Sequence, residues 1–245
     1  MQTWFSADLH RIEAVSDRLR ILHFKPNKVA PLAYQPGQFV KLILSDGAVF
    51  QRSYSIGSLT RSHDLSQDLE IAISYVPGGR ASKWAFSVQE GITIDVQGPY
   101  GQFVLPSIAP KRLWLVATGT GVVPFRSMYY QLQQLAQEQT EINLFVGVRN
   151  ESELLYLQEW QSLNALPNIN CYYCFSQQLP ETTLENQFLS RIQPVLMSKS
   201  FDLQDDIFYL CGHPEMIDDI WMLLKQRGFS VKQVKREKYV FAAKR

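Results

Sequence analysis

The sequence is short of cysteine. Three residues, Cys171, Cys174 and Cys211, form no even set, so a disulfide framework is not expected, and they suit a reducing, cytoplasmic setting. They are also too few to hold an iron–sulfur cluster by four thiolates, so any iron–sulfur carrier must be a separate protein. Cys171-Tyr172-Tyr173-Cys174 has the spacing of a metal or redox pair, but its apolar, aromatic setting reads as a buried strand, and no metal is expected. Long apolar runs are missing too. No stretch reaches the roughly 18–20 residues of a membrane span, and the charged N-terminus (Met1 to Arg11) does not read as a signal peptide. A strong net charge is lacking as well: at +1 the chain has no general pull toward nucleic acid or a membrane surface.

What is present is ordinary globular composition, 46% hydrophobic and 19% charged over 245 residues, enough for two domains. The first hundred residues alternate short strands (Arg18 to Phe24, Gln38 to Leu44, Gln51 to Ile56, Leu69 to Tyr75, Ile92 to Val96) with Gly and Pro turns, and Trp84 to Val88 fits a helical turn. That spacing implies an antiparallel sandwich or barrel. Beyond Pro106 the pattern changes to continuous apolar strands (Leu113 to Thr118, Ile142 to Val148, Ile169 to Phe175, Ile207 to Cys211). These alternate with helical stretches at Pro124 to Gln137, Glu153 to Leu163 and Pro214 to Arg227. Such alternation implies a parallel sheet covered on both faces. The expectation is an antiparallel β-barrel over residues 1–107 and an α/β parallel-sheet domain over 108–245.

Three sites carry chemistry. Thr118-Gly119-Thr120-Gly121-Val122-Val123-Pro124 reads as a strand-to-helix turn in which glycines let the backbone approach a ligand and the helix start favours a phosphate. Cys211-Gly212-His213-Pro214-Glu215-Met216 ends a later strand, so the two turns can face one crevice. In Arg52-Ser53-Tyr54-Ser55, strand alternation puts Arg52 and Tyr54 on one face, an aromatic plate beside a cation. Taken singly, each is also compatible with plain packing.

Together these motifs resemble the ferredoxin–NADP reductase family, particularly its bacterial ferredoxin/flavodoxin–NADP reductases, over nearly the whole chain. The resemblance implies FAD held by Arg52, Tyr54 and Ser55, with Arg52 on the diphosphate, Tyr54 against the isoalloxazine and Ser55 near its reactive nitrogen. Gly79-Arg80-Ala81-Ser82 is similar to the family's second flavin motif, implying diphosphate binding by Gly79, Ala81 and Ser82. Gly98-Pro99-Tyr100-Gly101 resembles its barrel-closing turn. Thr118, Gly119, Thr120, Gly121, Pro124 and Arg126 match the dinucleotide diphosphate loop, and Cys211, Gly212, Pro214 and Met216 match the nicotinamide signature. Glu237-Lys238-Tyr239 resembles the terminal Glu-x-Tyr, implying that Glu237 assists hydride transfer and that Tyr239, or Phe241 further on, covers the flavin. Ser55, Cys211 and Glu237 are the implied reacting shell.

The chain departs from NADP-specific relatives after the third strand of the second domain, where Ser176-Gln177 stands in place of Ser-Arg. Arg149 and Arg191 remain to supply charge, so NADP(H) is expected and NAD(H) left open. The implied activity is hydride exchange between NADP(H) and FAD, with single electrons passed to or from ferredoxin or flavodoxin by a monomer. A basic run from Lys225 to Arg245, opposed only by Glu237, suits an acidic carrier or is a solvated tail. The competing readings are an NADH-dependent flavin reductase or oxygenase reductase component, and a redox-sensing binding subunit.

Overall fold

A computed structural model describes residues 3–27, 32–59 and 68–239. Val240, Phe241, Lys244 and Arg245 lie outside them. Among the described residues the chain divides into two compact units: the first takes in the chain up to Leu105 together with Val123–Tyr130, the second Pro106–Val122 and Gln131 to Tyr239. Apart from Val123–Tyr130, the change of unit falls between Leu105 and Pro106.

The first unit is a six-stranded antiparallel sheet. Its strands are β1 (Thr3–Ser16), β2 (Leu19–Pro26), β3 (Phe39–Ser45), β4 (Val49–Ser55), β5 (Leu69–Ser74) and β6 (Thr93–Tyr100), in the order β4-β3-β6-β1-β2-β5. The two edge strands meet just past β4, where Gly57 N–H donates to Glu70 O at 2.8 Å, and the sheet curls into a barrel. The inner face carries Phe5, Ala7 and Leu9 of β1 with Leu22, Phe24, Val40, Leu42, Ile71 and Val96. Helix α1 (Arg80–Ser87) plugs this core with Ala81, Trp84 and Ala85, which share a face because they stand at i, i+3 and i+4.

Strand β1 is absent from the sequence-based reading. Its inward residues alternate as expected, but Asp8, His10, Arg11 and Glu13 face outward and break the apolar signal, and its pairing with β2 shifts register at Leu9/Arg11 and Ala14/Ser16. Gly98-Pro99-Tyr100 is the end of β6, with Gly98 paired to Thr3 and Tyr100 to Phe39.

The second unit is a six-stranded parallel sheet: β7 (Arg112–Thr118), β8 (Glu141–Val148), β9 (Ile169–Phe175), β10 (Gln187–Leu189), β11 (Asp206–Gly212) and β12 (Val234–Lys238), in the order β10-β9-β8-β7-β11-β12. Its helical segments are a 3-10 turn at Gly119–Val122, α2 (Val123–Ser127, packed in the first unit), α3 (Tyr129–Gln137), α4 (Leu157–Asn164), α5 (Ile192–Met197) and α6 (Pro214–Gln226). The single helix expected over 124–137 breaks at Met128. There Ser127 Oγ donates to Pro124 O at 2.7 Å and accepts from Gly37 N–H at 2.8 Å, tying this turn to the barrel.

Strands β7 and β8 are buried almost throughout, as parallel strands covered on both faces require. The chain builds outward from β7 to β10, then returns to place β11 on the other side of β7. The switch point, where an open α/β sheet receives its ligand, is therefore at the carboxyl ends of β7 and β11. The short strands β10 and β12 are further elements the sequence-based reading lacks. No helix among the described residues is long and apolar enough to cross a membrane, and no cluster of His, Cys, Asp and Glu there could hold a metal.

Candidate functional site

In the barrel unit the candidate flavin residues cluster at one end of β4 and at the start of α1. Arg52 is exposed; its Nη1 donates to Gln51 O at 2.7 Å and its guanidinium lies 5.7 Å from the Phe50 ring centroid. Tyr54 is partly buried against the barrel core, and burial pushes its phenol up to about 12 against an opposing pull from Arg52, so it is neutral at physiological pH. Ser55 is buried at the strand end.

Arg80, which sequence reasoning left out of the site, sits beside them. It is anchored to Asp46, with Nε 2.8 Å from Oδ2, and lies 4.1 Å from the same Phe50 ring. That bond holds the Asp46 carboxyl below its ordinary range. The available signal was the basic residue inside Gly79-Arg80-Ala81-Ser82; its partner lies 34 residues away and gives no local cue.

Helix α1 starts at Gly79 with no side-chain cap, so the first-turn amides of Arg80, Ala81 and Ser82 lack intrahelical acceptors. Ser82 does not offer its hydroxyl outward: Oγ bonds Val76 O at 2.9 Å and Gly79 O at 3.0 Å. Its hydroxyl shapes the turn, and the free amides with two nearby guanidinium groups suit an anionic phosphate.

In the α/β unit the switch point brings the two glycine turns together. Gly119 has φ +54°, and a Cβ there would meet nothing within 4 Å, so this turn is open toward a ligand. Behind it the packing is tight. A Cβ on Gly121 would stand 2.4 Å from Cys211 O, and one on Gly212, at φ +120°, would stand 2.5 Å from Thr118 Oγ1. Thr118 Oγ1 accepts from His213 N–H at 2.9 Å, locking the β11 turn to the β7 turn. Pro214 opens α6 with His213 as its N-cap, whereas Met216 is buried in the core beneath α6 and packs there. Pro124 is buried in α2.

Cys211 is fully buried at the end of β11, in register with Glu237 of the neighbouring β12. Parallel register puts both side chains on one face, opposite the α6 face where Arg236 lies 4.5 Å from the Trp221 ring centroid. Burial above all, and next the Glu237 carboxylate, push the Cys211 thiol well above its usual range, while a bond from Tyr239 opposes them, so the sulfur stays protonated. Tyr239 bends over this corner: its N–H donates to Gly212 O at 2.9 Å and its hydroxyl to Thr120 O at 3.3 Å. Phe241 falls outside the described residues.

Two arginines assigned to the dinucleotide have other partners. Arg126, in α2, donates through Nη1 to Gly57 O at 2.6 Å and to Glu70 Oε2 at 2.7 Å, an ion pair nearly closed to solvent within the barrel unit. Arg149 is forked onto Glu153, with Nε 3.0 Å from Oε2. Ser176 is exposed after β9, its N–H on Val148 O. Cys171 and Cys174, three residues apart on β9, point to opposite faces and are both buried, so they form no redox or metal pair.

The open Gly119 turn, the uncapped start of α1 and the guanidinium groups beside Phe50 fit a dinucleotide and a flavin diphosphate. Comparison with known proteins gives the same answer. Residues 6–105 match the profile described as "Oxidoreductase FAD-binding domain" and residues 115–221 the one described as "Oxidoreductase NAD-binding domain". The electron transfer component of toluate 1,2-dioxygenase from Pseudomonas putida is 26% identical over 99% of this chain and 69% of its own length. A flavodoxin/ferredoxin–NADP reductase of Buchnera aphidicola is 25% identical over 97% of this chain and 96% of its own. The solved ferredoxin NADP+ reductase of Neisseria gonorrhoeae, with FAD and NADP bound, superposes with a TM-score of 0.80 at 20% identity over 97% of this chain and 98% of that one. The chain thus belongs to the ferredoxin–NADP reductase family of oxidoreductases, with one FAD-binding and one NAD(P)-binding domain.

Proposed function

We propose that the protein carries hydride between NAD(P)H and FAD and passes electrons singly to an acidic carrier of the ferredoxin or flavodoxin kind. When bound, the flavin supplies the conversion between a two-electron donor and a one-electron acceptor. The observation that carries this reading is the corner built from Cys211, Glu237 and Tyr239 beside the Gly119–Gly121 turn. Gly119 and the amides after it hold the dinucleotide diphosphate; Arg52 and the start of α1 hold that of FAD, with Arg80 bracing the turn beside them through Asp46. A protonated thiol at Cys211 leaves a small, non-nucleophilic surface against the nicotinamide, and burial first, then Glu237, keeps it so by disfavouring the thiolate. Within the barrel unit, Ser55 at the end of β4 is the residue proposed to neighbour the flavin ring. Cys211→Ala is expected to slow stopped-flow flavin reduction about tenfold, equivalent to roughly 1.4 kcal/mol, with FAD content unchanged; an unaltered rate would make Cys211 a packing residue.

A second reading, an NADH-linked reductase component for an oxygenase, draws on the neutralised Arg149 and on the Pseudomonas relative. Steady-state turnover with ferredoxin, flavodoxin and free flavin as acceptors separates the two. Faster reduction of free flavin than of either carrier would sink the carrier reading.

The basic run at the chain end bears on the partner. It is not a loose tail as far as Tyr239: Lys238 is held by Asp218 at 2.6 Å and Arg236 covers Trp221, while Lys225, Arg227, Lys232 and Lys235 are exposed. Screening shortens from about 10 Å at 0.1 M salt to about 3 Å at 1 M, so carrier reduction should fall steeply over that range while a small neutral acceptor is unaffected. Replacing Lys232 and Lys235 by Gln should mimic high salt. Carrier turnover insensitive to both treatments would place docking elsewhere.

A further inference from the structure

The carboxyl end of β8 carries an ion pair that the proposed chemistry does not use. Arg149 follows the strand directly, and Glu153 closes the 3-10 turn after it. Arg149 Nε donates to Glu153 Oε2 at 3.0 Å, Nη2 donates to Oε1, and the Arg149 backbone N–H is 3.4 Å from Oε2. The Nε/Nη2 edge, one of the edges with which a guanidinium grips a phosphate or carboxylate bidentately, is thus filled by a carboxylate of the same turn.

The place is informative because of the strand order. With the switch point between β7 and β11, and the diphosphate at the open Gly119 turn, β8 is the next strand on the β7 side. In doubly wound α/β sheets the ribose of the adenosine half is read beyond the first turn, by a carboxylate on a free 2′-hydroxyl or by an arginine on a 2′-phosphate. Here both residue types are present and are spent on each other. Neither the turn itself nor the end of β9 adds a second cation: Glu151 belongs to the same turn, Glu181 N–H reaches Glu151 Oε2 at 3.4 Å, and Ser176, Gln177 and Gln178 are neutral. The amides of Gln177 and Gln178 both donate to Arg149 O, at 3.0 and 3.2 Å, which fixes the β9 end against this turn. The two carboxylates of this turn, Glu151 and Glu153, against its one guanidinium disfavour a phosphate monoester carrying about two negative charges.

We propose that the Arg149–Glu153 pair makes this site select the unphosphorylated ribose, so that NADH rather than NADPH is the preferred donor. This rests on the dinucleotide reading of the Gly119 turn and narrows it. Arg191, exposed at the N-cap of α5, is a further cation near this edge of the sheet, because its neighbour Ile192 packs on Gly147 of β8.

The test is equilibrium binding to the FAD-loaded protein, by calorimetry, with NAD+, NADP+ and adenosine 2′,5′-bisphosphate as probes. NAD+ should bind at least about tenfold more tightly than NADP+. Glu153→Gln, which frees the guanidinium, should tighten NADP+ and the bisphosphate about tenfold and leave NAD+ within about twofold. Adding Arg149→Ala to that variant should abolish the gain. Wild-type protein that binds NADP+ as tightly as NAD+, a Glu153→Gln variant with no gain for either phosphorylated probe, or a loss of NADP+ binding on Arg149→Ala alone would each overturn the proposal. Arg191→Ala is the companion variant: if it removes the gain seen in Glu153→Gln while Arg149→Ala does not, selection belongs to Arg191 and the proposal fails. Binding is read without hydride transfer, so failure of the flavin to be reduced would strike the proposed function alone.

Discussion

Gly212→Ala is expected to be among the most damaging single substitutions in the nucleotide-binding unit. Gly212 stands at φ +120°, and an added Cβ would lie 2.5 Å from Thr118 Oγ1 and 2.7 Å from Thr118 O. Neither atom is free to retreat: Oγ1 receives the His213 N–H, and Thr118 ends a central strand paired to β8 through Gly147. Backbone strain of about 1–3 kcal/mol adds to an overpacking cost of about 1–3 kcal/mol. At roughly 2–4 °C per kcal/mol for a chain of this size, the midpoint of thermal unfolding should fall by about 5–20 °C. Gly121→Ala, with its Cβ 2.4 Å from Cys211 O, should behave alike, whereas Gly47→Ala, where a Cβ meets nothing within 4 Å, bears only the strain of φ +105°. Melting followed by circular dichroism on all three decides the matter; a Gly212→Ala midpoint within about 2 °C of wild type would mean the two turns are not locked together.

Arg52→Ala should give folded protein that has lost most of its FAD. Arg52 is exposed, donates to its neighbour's carbonyl and lies over the Phe50 ring from the outside, so the barrel core does not depend on it. A charge-assisted hydrogen bond to a diphosphate contributes roughly 1.5–3 kcal/mol, a loss of about 10- to 150-fold in affinity. The ratio of flavin to protein absorbance after purification, with a fluorescence titration of added FAD, measures it. Full occupancy at micromolar protein would remove Arg52 from the flavin site. Arg80→Ala is the informative companion, because Arg80 also braces the β3–β4 turn through Asp46 and should reduce stability as well as flavin content.

The sequence by itself determined the two kinds of sheet, because period-two patterning with Gly and Pro turns and continuous apolar runs between helices reflect which strand faces are buried. It also determined the glycine turns after β7 and β11 and the Arg52–Tyr54 face, since those depend on residue type at short range. Its lapses fall at the margins. β10 and β12 are short edge strands with one face or less in the core, as Val234 alone of β12 is buried, and β1 hides its pattern behind outward charges.

Partner choice was decided only by tertiary structure. Arg126 reads as a diphosphate ligand until folding sets Glu70, 56 residues earlier, 2.7 Å away, and Arg149 as a free cation until the turn after β8 folds Glu153 back onto it. Cys171 and Cys174 are a pair by spacing and strangers by geometry, because a strand sends residues three apart to opposite faces. A charge's role depends on which opposite charge the fold leaves within about 4 Å, and that distance is not a property of the local sequence.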